Sequence, residues 1–182
     1  AAIRRHTGTV LFMPGGSDVP NLKAIVDLPN LVVVSISLDM QKRLRNQHRI
    51  HTPIASLNLV DKRMFPYLPP SKRGTRVFVY NGRCGRQGAE RIYNQRLIDA
   101  VVAAMPEEKF VFSNNLHAKY EDMPAIYASC RIGLRLTPHD GNANMVQVMV
   151  SMGIPVVHNQ SAYGLTGKSI KDVIKYIKES AL

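Results

Sequence analysis

The chain has 182 residues, 45% of them apolar, with 24 Lys and Arg against 13 Asp and Glu for a formal charge of +11. That length and apolar content predict one globular domain or a little more. No run of about 18 apolar residues occurs, so no membrane span is expected, and the Ala-Ala-Ile-Arg-Arg start lacks the apolar core of a secretion signal. Cytoplasmic residence is the default. Two cysteines, Cys84 and Cys130, are too few for a disulfide framework and lack the companions a zinc site needs. They are expected as reduced thiols, and no metal site is expected.

In chain order, three apolar runs come first, Thr9 to Met13, Leu31 to Ile36 and Ile54 to Leu59, and read as strands of an α/β layer. Pro14-Gly15-Gly16-Ser17-Asp18 is a turn leading to a short helical piece around Asn21 to Val26. Leu38 to Arg45 reads as a helix whose Lys42, Arg43 and Arg45 form a solvated face. Residues 1–65 are then expected to be the remnant of a larger amino-terminal α/β domain. Pro66, Pro69 and Pro70 mark 66–74 as a linker, because proline fixes φ and removes donors.

Residues 75–182 read as a Rossmann-like unit. Strands are expected at Thr75 to Tyr80, Lys109 to Phe112, Arg131 to Leu136 and Pro155 to His158, with helices near Arg91 to Ala104, Met123 to Ser129 and Ala143 to Met152. Such alternation predicts a parallel sheet covered by helices on both faces. Asp122 is the expected N-cap of the second helix, with Pro124 in its first turn. Ser169 with Asp172 three positions on forms a capping box for a last helix.

Charge is uneven along these segments. Residues 61–100 hold nine basic and three acidic side chains, more than half of the net excess, so an anionic partner is expected there. That stretch contains Asn81-Gly82-Arg83-Cys84-Gly85-Arg86-Gln87-Gly88, a strand end opening into a glycine loop with two arginines. Glycine lets backbone approach a ligand, and guanidinium forks match phosphate oxygens. It is neither a Walker loop nor a G-x-G-x-x-G turn. Further on, Thr137-Pro138-His139-Asp140-Gly141-Asn142-Ala143 joins a strand to a buried-looking helix, with Asn142 placed as its cap. Free N–H groups and the positive end of that helix make an anion site. There Asp140 can hold sugar hydroxyls and His139 can exchange protons. The other five histidines have no partner at metal-ligand spacing and read as structural or exposed.

Taken together, Asn81-Gly82-Arg83, Leu97-Ile98-Asp99-Ala100, Phe110-Val111-Phe112, Met123-Pro124-Ala125-Ile126-Tyr127-Ala128, Asp140-Gly141 and Met152-Gly153-Ile154-Pro155-Val156-Val157 resemble the nucleotide-sugar half of GT-B glycosyltransferases. The similarity is greatest to the retaining group of family 4 and spans about residues 30 to 160. It implies transfer of a sugar from a nucleotide-diphosphate sugar to an acceptor, with no cofactor beyond that donor substrate. Arg83, Arg86 and Arg91 would meet the diphosphate with Gly82, and Gly141, Asn142, Ala143 and Asn144 would contribute the helix start. Asp140 stands where the family has its first glutamate, and His139 beside it. The second glutamate, which binds ribose, falls on Val148, with Gln147 as the neighbouring substitute. That departure, the short acceptor side and the basic charge keep open an alternative: a decayed, non-catalytic GT-B domain acting as a structural or nucleic-acid-binding module of a larger assembly. The partners implied are a nucleotide sugar, a nucleic acid or other anionic acceptor, and a missing amino-terminal domain or partner chain.

Overall fold

The computed structural model describes residues 5–14, 27–55, 60–82, 86–138, 143–158, 165–167 and 169–181. The turn at Gly15 to Asp18, the helical piece at Asn21 to Val26, and Cys84 lie outside them. The chain divides into two compact units, residues 1–58 and 59–182.

In the first unit β1 (Val10–Phe12) and β2 (Leu31–Val33) pair in parallel, with Phe12 opposite Val33. The third expected strand is a single parallel bridge, Ser35 to Ile54, and its remainder, 56–59, is outside the described residues. Helix α1 (Leu38–His48) starts at Ser37, whose hydroxyl accepts from the Met40 amide at 3.2 Å. It ends at Arg49 in the left-handed region (φ 57°), with the Ile50 amide reaching back to the Leu44 carbonyl. This helix stop reverses the chain. Met40 and Leu44 are buried against Val33 in a small apolar cluster.

The second unit is built on β3 (Arg76–Val79), β4 (Phe110–Phe112), β5 (Cys130–Arg135), β6 (Val156–His158) and β7 (Leu165–Thr166). They form one all-parallel sheet in the order β4-β3-β5-β6-β7, a Rossmann-like α/β layer. A strand covered on both faces is mostly apolar; five of the six residues of β5 are buried, Arg131 among them with its guanidinium paired to Glu108 at 2.7 Å. Pleating sends Val77, Val79, Ile132 and Leu134 to one face. There they meet Ile98 and Val101 of α3 (Gln95–Ala104) and Val173 and Ile177 of α6 (Ile170–Glu179). Phe78 and Val156 point to the other, against Tyr127 of α4 (Met123–Ala128) and Met145 and Met149 of α5 (Asn144–Ser151). The Phe78 and Tyr127 rings meet edge to face at 5.1 Å.

The Ser169 capping box is formed in full: the Asp172 amide donates to the Ser169 hydroxyl and the Ser169 amide to the Asp172 carboxylate. Three other expectations need correction. The helix expected at Arg91 to Ala104 is two helices, α2 (Arg86–Tyr93) and α3, because Asn94 adopts a left-handed conformation (φ 56°) between them. Asparagine tolerates that region better than most residues. Asp122 is the N-cap residue of α4 as expected, with Pro124 in the first turn, but its carboxylate makes no cap bond to that helix and accepts instead from the Lys119 amide at 2.9 Å. Residues 66–74 are not a linker. Phe65 is fully buried, Leu68 packs in the same cluster, and the Leu68 and Gly74 amides donate to the Met152 and Ala128 carbonyls. The prolines shape a strap laid over the core rather than a spacer.

Burial also sets two acidities. Desolvation pushes the Tyr127 phenol well above its ordinary 10.0, aided by neighbouring Tyr80 and Tyr120 and opposed by Arg135. The Cys130 thiol is likewise raised by desolvation from its ordinary 9.0, with the Ser129 hydroxyl opposing. Both groups stay neutral in the fold, so their contribution is intact below the unfolded-state values and fades as pH rises past about 9 to 10 toward the folded ones. Thermal melts are therefore expected to drop in midpoint above pH 9. Tyr127→Phe should flatten that fall, and an equally steep fall in the variant would contradict the assignment.

Candidate functional site

Numbered within the second unit, the strand order is 2-1-3-4-5. The chain runs from β3 outward to β4 and then crosses back to the far side of β3 to lay down β5. Neighbouring connections thus leave in opposite directions from the carboxyl ends of β3 and β5. Open α/β sheets bind ligands at such a switch point.

The two loops singled out in the sequence start there. Since β3 and β5 pair in parallel, with Val79 opposite Leu134, Gly82 and Thr137 continue from the same edge of the sheet. Arg83, His139, Asp140, Gly141 and Asn142 lie outside the described residues, as does the Arg86 side chain, though Arg86 itself opens α2. Arg91 sits in the last turn of α2 and is exposed.

Asn81 is consumed by structure. Its amide donates to the Ser113 hydroxyl at 2.9 Å, that hydroxyl donates back to its carbonyl, and its side-chain carbonyl accepts from the Asn114 amide. These bonds clamp the end of β3 to the end of β4. Gly82 is glycine for a neighbour's sake. A Cβ there would lie 1.9 Å from the Tyr93 hydroxyl, so the phenol of α2 occupies the space a side chain would take.

Helix α5 does not begin as expected. Its N-cap is Ala143, not Asn142, and no side chain caps it. Ala143 has extended backbone (φ −69°, ψ 116°) and is buried, so helical geometry starts at the exposed Asn144. Alanine offers no side-chain acceptor, so among the described residues the first-turn amides keep their donor capacity for a ligand. Gln147 is buried and has a partner, and Val148 belongs to the apolar cluster beneath the sheet. Gly133 gives α5 its close approach, since a Cβ would meet Met149 Sδ at 2.7 Å and Met145 Cε at 2.8 Å.

Three further residues at this edge escaped the sequence reading. The Arg135 guanidinium carbon stands 4.2 Å from the centroid of the Tyr80 ring, a cation held against an aromatic face at the ends of β5 and β3. Tyr80 also meets Tyr93 at 5.8 Å between centroids. Thr137 is 2% exposed, and its hydroxyl has no hydrogen-bond partner among the described residues. A charge at the carboxyl end of a strand was the available signal for Arg135. Thr137 opened the second singled-out motif, but nothing local marked its hydroxyl.

The edge therefore combines helix amides, a guanidinium, two phenols and a hydroxyl with unspent capacity. That set suits an anion attached to a flat or sugar-like body. Among the described residues no cluster of His, Cys, Asp or Glu could hold a metal ion, and no helix is long and apolar enough to cross a membrane. No protein-family model and no curated protein matches the chain.

Proposed function

We propose that the second unit binds a nucleotide-diphosphate sugar at the β3/β5 switch point and forms the donor half of a glycosyltransferase. The observation that carries this reading is the sheet order, because it starts the Gly82 loop and the Thr137 loop from adjacent strands at one edge. In this reading Arg83, Arg86 and Arg135 neutralise the diphosphate and the first amides of α5 hydrogen-bond it. Asp140 orients the sugar, and His139 beside it moves a proton. The Thr137 hydroxyl gains the partner it lacks. Gln147 stands in for the ribose acceptor that Val148 cannot be.

Calorimetric titration of the chain with UDP-, GDP- and ADP-sugars tests it. Saturable heat with at least one donor is expected at millimolar ligand or below, and none with any of them would remove the donor site. The burial of Val148 favours a second reading, a basic module that no longer transfers sugar. That reading predicts no donor heat and nucleic-acid binding that weakens steeply with salt.

A further inference from the structure

We propose that the first unit carries a separate oxyanion site, formed by Lys42, Arg45 and His51, that takes the phosphate group of a small phosphomonoester. Helical periodicity puts Gln41, Lys42 and Arg45 on one face of α1. The left-handed Arg49 then turns the chain so that His51 and Thr52 return beside that face. Between them lies a depression of about 140 Å³ lined by these five residues. It is smaller than the roughly 300–1,000 Å³ of pockets for whole small molecules. One compact group fits.

The frame is held from behind. Gln41 Nε2 donates to the Thr52 carbonyl at 2.6 Å, the Thr52 and Ser35 hydroxyls bond each other, and the Ser35 amide donates to the Pro53 carbonyl at 2.9 Å. The charges in front are uncommitted. Lys42, Arg45 and His51 are exposed, and among the described residues neither Lys42 nor Arg45 pairs with a carboxylate. Among the described residues the lining holds no acidic side chain. Two cations and an imidazole around a small depression are what a phosphate dianion selects. A merely solvated helix face would not need the Gln41–Thr52 brace that fixes the opposite wall.

The test is a titration of inorganic phosphate into the ¹⁵N-labelled chain at constant ionic strength, read at the amides of Gln41, Lys42, His51 and Thr52. Saturable shifts are expected, weakened about tenfold or more in Lys42→Ala/Arg45→Ala and partly retained in Arg45→Lys, which keeps charge but loses the fork. Linear shifts that never saturate, or an unchanged midpoint in the double variant, would overturn the site. A short DNA duplex that moves the same amides at lower concentration than phosphate would overturn the small-ligand assignment. If the double variant melts early, His51→Gln provides the same comparison. Because the reporters belong to the first unit, this result stands apart from donor binding at the switch point.

Discussion

Phe78→Ala is expected to cost about 3–5 kcal/mol, the usual range for deleting a fully buried aromatic from a core. Phe78 is 0% exposed and sits in β3, the strand paired with both β4 and β5. Its ring meets Tyr127 edge to face, and both belong to the cluster that holds the Met145 and Met149 side chains of α5. Truncation leaves a cavity under the helix whose amino-terminal amides face the candidate site. Domains of this kind have about 5–15 kcal/mol to lose, so the urea midpoint should fall by roughly 2 M. Phe78→Leu, which refills much of the space, should cost less than half as much. Equal midpoints for Phe78→Ala and the parent chain would show that the sheet is not packed as described.

Gly74→Ala is expected to cost about 3 kcal/mol, the upper end of the overpacking range. A Cβ at this position would lie 2.0 Å from the Ser129 carbonyl oxygen and 2.2 Å from its carbon. The obstruction is backbone, so no rotamer change relieves it. The same glycine donates its amide to the Ala128 carbonyl at 2.7 Å, tying the strap ahead of β3 to the end of α4. Shifting Gly74 away breaks that bond and disturbs the entry into the central strand. A midpoint within experimental error of the parent would mean that the strap does not lie against α4.

The first of these substitutions falls in a strand legible from the sequence, the second in a segment that was not. The central strands were legible because a doubly covered strand has to be an apolar run, and Val77 to Val79 and Ile132 to Leu134 are such runs. The Ser169 box was legible because capping depends only on residues three apart. The strap was not. Prolines at 66, 69 and 70 look like a spacer, yet Phe65 and Leu68 among them bury themselves in the core, and proline content says nothing of where its neighbours pack. The break at Asn94 was hidden because a single left-handed residue leaves the helical periodicity on either side almost undisturbed.

The candidate site divides the same way. The loops were visible as glycine and arginine clusters at strand ends, and their common edge follows from parallel pairing of β3 with β5. The stacking of Arg135 on Tyr80 depends on register between strands far apart in sequence, which no local pattern encodes. Asn81, at the head of the glycine motif, is spent on Ser113 and Asn114, and the missing side chain of Gly82 makes room for the Tyr93 phenol, neither of which a local pattern encodes. Asn142 was expected to cap α5, while the helix takes Ala143 instead, a residue with no side-chain acceptor to offer.

Hydrogen–deuterium exchange of the full chain, with and without saturating UDP-, GDP- or ADP-sugar, tests the switch-point claim most directly. The account predicts slower exchange at Gly82, at Arg86 and over the first turn of α5 from Asn144. Thr75 and Pro155 flank the strands at the opposite edge, and exchange at Thr75, Arg76 and Val156 should not change. Protection confined to that opposite edge, or none anywhere with all three donors, would contradict it.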